Sequence, residues 1–308
     1  MTPSPFSRAW VLTGPTGSGK TEFALRLGEA RNAEIVAMDS MTLYRGIDIG
    51  TAKPTAEDRR RVPHHLIDVL DPWESASVAW WRQRAIECCR DIEARGKQVL
   101  FVGGTPLYLK ALLEGLFDGP GACAEVRRRF EAEAAADGKE AVHRQLAQVD
   151  PVSARRLHPN DLRRVVRALE VWELTKRPIS AWQTEWGASS ADAIGKCWWI
   201  DRPRSELYSR INARVARMIA GGWMEEARRL LALPRPMSRE AGLALGYPEL
   251  FAHIAGKTDL AATIELIQTR SRQFAKRQMT WFRKMPQCRR LPVTGEQGPT
   301  AEILPDLA

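Results

Sequence analysis

The chain has 308 residues, of which 46 are Lys or Arg and 37 are Asp or Glu, so its formal net charge is +9. A hydrophobic fraction of 44% is ordinary for a globular protein. It excludes a disordered chain, a collagen and a small disulfide scaffold. The basic excess permits a polyanionic partner without proving one.

The first third of the chain alternates predicted strands and helices. Apolar runs at 9–13, 34–38 and 99–102 predict three buried strands. Residues 22–30 and 78–94 have the pattern of helices between them. Repeated strand–helix units favour an α/β fold with a parallel sheet and helices on both faces.

The pattern then changes. Residues 122–187 show no clear strand and predict helices at 125–136, 139–149 and 161–175. Residues 196–200 restore a strand, and long helices follow at 205–220 and 260–284. We therefore expect a core formed by 1–121 and 188–308, an all-helical insertion domain at 122–187, and a loose tail after Pro292.

A phosphate-binding motif follows the first strand. The pattern G-x-x-x-x-G-K-[ST] is matched by Gly14, Pro15, Thr16, Gly17, Ser18, Gly19, Lys20 and Thr21. Glycines let backbone N–H groups converge on phosphate oxygens, Lys20 adds a full charge, and Thr21 can ligate Mg²⁺. The motif indicates a diphosphate or triphosphate site but does not say which bond is broken.

An acid follows the second strand instead of a later one. A nucleotide hydrolase usually ends a later apolar strand with an acid, but 99–102 is followed by Gly103, Gly104 and Thr105. Parallel strands bring their carboxyl ends to one edge, so Asp39 should face a diphosphate at Lys20. A carboxylate there suits a general base. The alternative is that Asp39 caps the next turn through Ser40.

Five segments together carry a specific resemblance. They are GPTGSGKT, MDSMTLYRGIDIGTAKP, VGGTPLYLKALLEGL, HPNDLRRVVRALEV and AKRQMTWFRK. In this order, across residues 10–284, they resemble the tRNA dimethylallyltransferases, also called tRNA isopentenyltransferases or IPP transferases. The resemblance implies a P-loop NTPase-like core with a helical insertion. It also implies transfer of the dimethylallyl group of dimethylallyl diphosphate to N6 of adenosine 37 of tRNA, 3′ of the anticodon.

The resemblance also implies roles for site residues. Lys20, Thr21 and a Mg²⁺ cofactor held by Thr21 would offset the charge on the leaving diphosphate. Asp39 matches the base, and the target adenosine should flip out of its loop to reach it. Arg214 matches an arginine for the diphosphate. It lies on a stripe with Arg210 and Arg217, for which a solvated helix face is the alternative.

Contacts to the tRNA anticodon stem-loop are implied at twelve positions. These are Asp39, Ser40, Met41, Thr42, Thr105, Arg127, Arg163, Arg164, Arg167, Lys276, Arg277 and Arg283. The stretch 269–290 supports such a partner by itself, because it holds eight basic residues and no acid. We interpret Phe274 and Trp281 within it as core residues rather than stacking platforms. For the insertion arginines, ordinary amphipathic-helix charge is the alternative.

The remaining features argue against disulfides, structural zinc, a signal peptide and a membrane span. The five cysteines, Cys88, Cys89, Cys123, Cys197 and Cys288, have no paired spacing, so we expect free buried thiols rather than disulfides or structural zinc. No signal peptide or membrane span is evident, which favours a cytoplasmic protein, and we expect a monomer. Pro248 stands where the family often has a basic residue, which puts one tRNA contact in doubt.

Three other functions stay open. A small-molecule kinase could use the same loop with ATP as donor, although DIGTAKP and the basic C-terminal helix weigh against it. A prenyltransferase acting on free AMP or ADP would not need the basic helix. A non-catalytic RNA-binding protein would not need Lys20, Thr21 and Asp39.

Overall fold

The computed structural model describes residues 4–116, 119–184 and 194–295. The chain divides into two compact units, Met1–Leu113 with Ala191–Ala308, and Glu114–Ser190. The predicted insertion at 122–187 falls inside the second unit, which begins eight residues earlier and ends three residues later. No helix in the described ranges is long and apolar enough to cross a membrane.

The elements of each unit follow in chain order. The first unit begins with β1 (Trp10–Thr13), α1 (Lys20–Ala30), β2 (Ala33–Ala37), α2 (Ala56–Arg61), β3 (His64–His65), α3 (Val78–Ala94), β4 (Gln98–Gly103) and α4 (Pro106–Leu113). The second unit contains α5 (Ala124–Ala136), α6 (Lys139–Val149), α7 (Pro151–Arg156), α8 (Leu162–Thr175) and α9 (Ile179–Thr184). The first unit resumes with β5 (Lys196–Asp201), α10 (Arg204–Ala220), α11 (Trp223–Leu231), α12 (Arg239–Gly242), α13 (Tyr247–Ile254), α14 (Leu260–Phe282) and β6 (Arg289–Pro292).

The strands form one parallel sheet in the order β3-β2-β4-β1-β5-β6. β1 is central, and its Leu12 lies opposite Val102 of β4 and Trp198 of β5. All five residues of β2 are buried, as expected for a strand covered on both faces. The α/β prediction is confirmed. Because the sheet is parallel, the loops after β1, β2, β4 and β5 meet at one edge.

The free-thiol prediction is wrong for one pair of cysteines. Cys197 and Cys288 form a disulfide, with their Cα atoms 4.5 Å apart. The cause is a strand that the sequence pattern did not reveal. β6 pairs with β5 so that Arg289 lies opposite Trp198. This register places Cys197 and Cys288, the residues just before that pair, side by side. Cys88, Cys89 and Cys123 are free thiols, and burial raises the pKa of Cys89 to about 12.

Candidate active site

The phosphate loop connects β1 to α1. Gly17 and Gly19 have φ of +79° and +95°, a left-handed conformation that favours glycine. The Lys20 ammonium group donates to the carbonyl oxygens of Gly14 and Pro15, at 2.8 and 2.9 Å. Burial lowers the pKa of Lys20 to about 8, although Asp39 acts in the opposite direction. The loop therefore holds a cation on neutral oxygens.

A glutamine from α14 joins the phosphate loop to the end of β4. The side-chain oxygen of Gln278 accepts from the Thr16 amide at 2.9 Å, and its Nε2 donates to the Gly104 carbonyl at 2.6 Å. A Cβ on Gly103 would lie 1.9 Å from the Met38 carbonyl oxygen, so only glycine fits there. Sequence reasoning missed Gln278. The available signal was a polar residue placed between buried Ala275 and Phe282 on the apolar face of the helix.

Asp39 follows β2 at the same edge of the sheet. Its Oδ1 accepts from the Met41 amide at 2.9 Å, and the Ser40 amide donates to the Thr105 hydroxyl at 3.1 Å. Asp39 thus caps its turn through Met41, not Ser40. It forms no ion pair among the described residues, and its charge acts on Lys20 and Arg214 through space.

The arginines of α10 differ in their contacts. Arg214 donates to the Thr16 hydroxyl at 3.3 Å and to the Thr51 carbonyl at 3.5 Å. Burial lowers its pKa, and the charge of Asp39 opposes that shift. Arg210 donates to the Gly17 carbonyl at 3.0 Å, whereas Arg217 is exposed. Two members of the predicted stripe therefore reach the phosphate loop.

Two buried charged groups hold the DIGTAKP segment. Lys53 belongs to the segment, and its buried ammonium group donates to the Tyr44 carbonyl at 2.7 Å, to Asp48 at 2.5 Å and to Asp68 at 2.6 Å. Hydrogen bonds and charge from basic neighbours lower the pKa of Asp68 against the opposing effect of burial. Lys53 therefore anchors the segment to Tyr44 and Asp68 and closes it on its own Asp48.

The second group is Glu226 of α11, which sequence reasoning missed. Its carboxylate accepts from the backbone amides of Asp48, Ile49 and Gly50 at 3.0 to 3.3 Å, and from the Tyr247 hydroxyl at 2.5 Å. Only 1% of Glu226 is exposed. Three consecutive amides bound to one carboxylate fix the backbone that presents Thr51 to Arg214.

These parts surround one cavity of about 730 Å³, within the range of small-ligand sites. Predicted site residues that line it are Thr16, Lys20, Thr21, Asp39, Ser40, Met41, Thr42, Thr105, Arg214 and Arg277. Ile211, Val215, Met218 and Trp223 supply an apolar wall. Pro248, the departure noted in the sequence, also lines it.

The basic C-terminal helix serves two cavities. Arg277 and Arg270 line the 730 Å³ cavity, whereas Lys276 and Arg283 line a second cavity of about 410 Å³. The core interpretation of the aromatics is wrong: Phe274 lines the first cavity, with the Arg277 guanidinium 5.9 Å from its ring centre, and Trp281 is 38% exposed. Both project from the polar side of α14 because its apolar side carries Ala275, Met279 and Phe282 instead.

The insertion arginines are organised around a buried acid. Glu170 of α8 is fully buried and accepts two hydrogen bonds from Arg127, at 2.8 and 2.9 Å, and one from Arg167 at 2.5 Å. Burial would raise the pKa of Glu170, but hydrogen bonds from Arg127 and Arg167 lower it overall. Arg163 and Arg164 are exposed, and Arg164 pairs with Asp161 at 3.3 Å. Their contact with tRNA stays a prediction.

Comparisons with known proteins identify the family of this chain. The profile of the IPP transferase family matches residues 42–285, and that of the isopentenyl transferases matches 7–67. The chain belongs to the IPP transferase family. A tRNA dimethylallyltransferase of Geobacter metallireducens is 49% identical over 280 residues, covering 90% of each chain.

Two solved structures resemble this one. The full-length tRNA isopentenylpyrophosphate transferase of Bacillus halodurans is 35% identical, with a TM-score of 0.71 over 98% of this chain and 94% of its own. A eukaryotic dimethylallyltransferase acting on tRNA is 27% identical, with a TM-score of 0.79 over 93% of this chain and 74% of its own. The chain therefore shares both sequence and architecture with these two solved enzymes.

Proposed function

We propose that this protein transfers the dimethylallyl group of dimethylallyl diphosphate to N6 of adenosine 37 in tRNA. The products are N6-(dimethylallyl)adenosine and diphosphate. One observation carries the proposal: a single cavity brings Lys20 and Arg214, which have no carboxylate ion-pair partner among the described residues, together with Asp39 and an apolar wall. The names of the relatives support the same reaction.

The donor fits the two kinds of surface in this cavity. Its diphosphate suits the phosphate loop, Lys20 and Arg214, and its five-carbon group suits the wall formed by Ile211, Val215 and Met218. In the reaction the C1–O bond of the donor breaks and its electron pair leaves with the diphosphate. Cations placed where that charge develops lower the barrier most, because they interact more strongly with the transition state than with the substrate.

The residues present also fit a magnesium ion. Mg²⁺ prefers hard oxygen ligands and retains several waters, so it requires few protein ligands. Thr21, at the start of α1, lines the cavity with Lys20 and carries a hydroxyl group. Among the described residues, no cluster of three or more His, Cys, Asp or Glu could bind a metal alone. Thr21 would hold the ion against the diphosphate, where Mg²⁺ supplies charge neutralisation of the leaving group.

We assign to Asp39 the role of accepting the proton that N6 loses. The exocyclic amine of adenine is a weak nucleophile because its lone pair is delocalised into the ring. Asp39 uses Oδ1 for the Met41 amide, which leaves Oδ2 for the substrate amine. Adenosine inside a stacked anticodon loop cannot enter a cavity of this kind, so the base flips out. Thr105 and Ser40, hydrogen-bonded to each other, border the position it would take.

A transfer assay tests the function. Purified protein, Mg²⁺, labelled dimethylallyl diphosphate and unmodified tRNA should give N6-(dimethylallyl)adenosine at position 37, detected by nucleoside mass spectrometry, with no ATP present. Phosphoryl transfer from ATP to a small metabolite, with no prenylated tRNA, would show a kinase instead. Prenylation of free AMP at the same efficiency as tRNA would show an adenylate-type enzyme.

Replacement of Asp39 tests the base. Asp39→Ala should lower the single-turnover rate by roughly 10²- to 10⁴-fold and leave tRNA affinity nearly unchanged. Asp137→Ala is the matched control, because it removes the same carboxylate from an exposed position that does not line the cavity. A large loss of tRNA binding in Asp39→Ala, with normal single-turnover chemistry, would contradict the assignment.

A further inference from the structure

Two arginines contact the phosphate loop from outside the 730 Å³ cavity. Arg210 of α10 donates through Nε to the Gly17 carbonyl at 3.0 Å. Arg202, between β5 and α10, donates through Nε to the Ser18 carbonyl at 3.4 Å, and its wholly buried side chain pairs with Glu206 at 3.0 Å. Neither arginine is among the residues that line the cavity. Their partners on the loop are backbone oxygens, so a direct contact with the reacting groups does not explain them.

The close packing of α10 on the loop brings both arginines within reach. A Cβ on Gly17 would lie 2.9 Å from Cγ1 of Ile211, so a side chain at this position would push the helix away. A Cβ on Gly19 would lie 3.7 Å from Nη2 of Arg210 and 3.9 Å from Nη2 of Arg202. Both guanidinium groups therefore flank the glycine that precedes α1, on the side of the loop that faces α10.

The carbonyl contacts fix the direction of the loop amides. In a trans peptide the C=O and N–H groups point in opposite directions. The first of the two peptides shows this, because its carbonyl faces Arg210 whereas its amide, that of Ser18, donates to the Pro15 carbonyl at 3.2 Å. The same Pro15 oxygen accepts from the Lys20 ammonium group at 2.9 Å. The amide therefore points to the side of the loop on which Lys20 lies.

The second peptide follows the same rule. Its carbonyl faces Arg202, so the amide of Gly19 is turned away from that arginine. Gly19 is the N-cap of α1, and backbone N–H groups at a helix N-terminus bind anions. A cation at a carbonyl also polarises the peptide, which strengthens the amide of that peptide as a hydrogen-bond donor.

We propose that Arg202 and Arg210 are positioning residues of the phosphate loop, which hold its carbonyl groups so that its amides face the leaving diphosphate. The identity of this anion rests on the proposed function. Each arginine binds the loop rather than the substrate, so its effect reaches the diphosphate through the loop amides. The cations that touch the donor and those that orient its site are then different residues.

Two variants of equal side-chain length separate orientation from charge. Arg210 donates through Nε, and the amide nitrogen of glutamine stands the same number of bonds from the backbone, whereas methionine has a methyl group there. Arg210→Gln therefore keeps a donor and loses the charge, and Arg210→Met loses both. Arg210 is half-buried, so both variants should fold, which urea unfolding checks. Exposed Arg217→Met is the control for a lost charge on the same helix.

Calorimetric titration with pyrophosphate, without tRNA, measures the effect. Arg210→Met should bind pyrophosphate about tenfold more weakly than the wild type, whereas Arg210→Gln and Arg217→Met should stay within about threefold of it. At the second position the readout is the ratio between Arg202→Gln and Arg202→Met, because both variants lose the pair with Glu206 equally. The glutamine variant should bind at least about threefold more tightly than the methionine variant.

Two outcomes overturn the proposal. Equal weakening in Arg210→Gln and Arg210→Met would show that the charge alone matters. Binding by Arg210→Met as tight as that of the wild type would show that the loop needs no support from α10. The titration involves no prenyl transfer. A protein that shows the expected order of affinities but transfers no dimethylallyl group would therefore refute the proposed function and leave this inference standing.

Discussion

The insertion unit and the core cavity hold their cations in different ways. In the insertion unit, Arg127 and Arg167 are neutralised by the buried carboxylate of Glu170. In the core cavity, Lys20 and Arg214 are held by carbonyl and hydroxyl oxygens. Neutral oxygens orient a cation without cancelling its charge. A paired cation therefore builds structure, whereas one held by dipoles keeps its charge for an anionic ligand.

The largest expected effect follows from removing the buried carboxylate that pairs with the two insertion arginines. Glu170→Gln should destabilise the insertion unit by about 3 kcal/mol or more, because it leaves two arginines beside a neutral buried group. Urea unfolding followed by tryptophan fluorescence measures the change. Glu173→Gln is the control, since Glu173 is 30% exposed and pairs with exposed Arg129. Equal losses in both variants would remove the distinction between buried and surface pairs.

The next effect concerns an arginine held by dipoles. Arg214→Ala should raise the KM for dimethylallyl diphosphate by roughly tenfold to a hundredfold, the range of a charge-assisted hydrogen bond. Stability should change little, because no carboxylate loses its partner. Steady-state kinetics at saturating tRNA provide the measurement, with exposed Arg217→Ala as the control. An unchanged response to donor concentration would exclude Arg214 from the donor site.

A pH effect of about tenfold should follow from Lys20. Burial lowers its pKa to about 8, and a bound diphosphate needs its charged form. The affinity of the wild type for pyrophosphate, relative to Lys20→Met, should therefore fall about tenfold between pH 7 and pH 9. Calorimetry at both pH values tests this. A ratio that does not change with pH would show that Lys20 is fully charged at pH 9.

Stability has the opposite dependence on pH. The folded pKa of Lys20 lies below its ordinary value of 10.5, so between about pH 8 and 10.5 the unfolded chain binds more protons at this group. The contribution of Lys20 to stability therefore rises with pH across that window.

The smallest effect should separate unpaired from paired arginines in RNA binding. Arg277→Gln should weaken binding of an anticodon stem-loop by roughly threefold to tenfold and reduce the salt slope by about one. Arg163 is exposed and has no ion pair among the described residues, so Arg163→Gln should act similarly. Arg167→Gln should affect stability more than RNA affinity. A larger RNA effect at Arg167 would mean that Glu170 positions it for the ligand.

Much of the fold could be read from the sequence because its strong elements are apolar runs bounded by glycine. The helix at Val78–Ala94 was predicted at its observed bounds, and the phosphate loop follows from its motif. The two-residue β3 and the edge strand β6 were missed because neither carries an apolar run. The disulfide was missed with β6, since pairing between residues 91 positions apart leaves no local pattern.

The candidate site was only partly readable for a related reason. Local motifs contain Lys20, Thr21 and Asp39, so the sequence predicted them as site residues. Gln278 and Glu226 act on loops far away in the chain, and each looks like an ordinary helix residue in sequence. The resemblance predicted tRNA contacts at both Arg127 and Arg277, and only the fold shows that Arg127 meets a buried acid whereas Arg277 lines the cavity.

The hydrogen bonds of Gln278 mean that the active site is completed late, when the chain is almost fully synthesised. The phosphate loop is among the first segments to leave the ribosome, yet its Thr16 amide is capped by a residue 262 positions later. The pairing of central β1 with β5 also forms late, because β5 follows the whole insertion unit in the sequence. Domains fold as units during synthesis. The insertion can therefore fold while the site is incomplete, and a nascent chain that stalls before Gln278 carries the phosphate motif without its clamp.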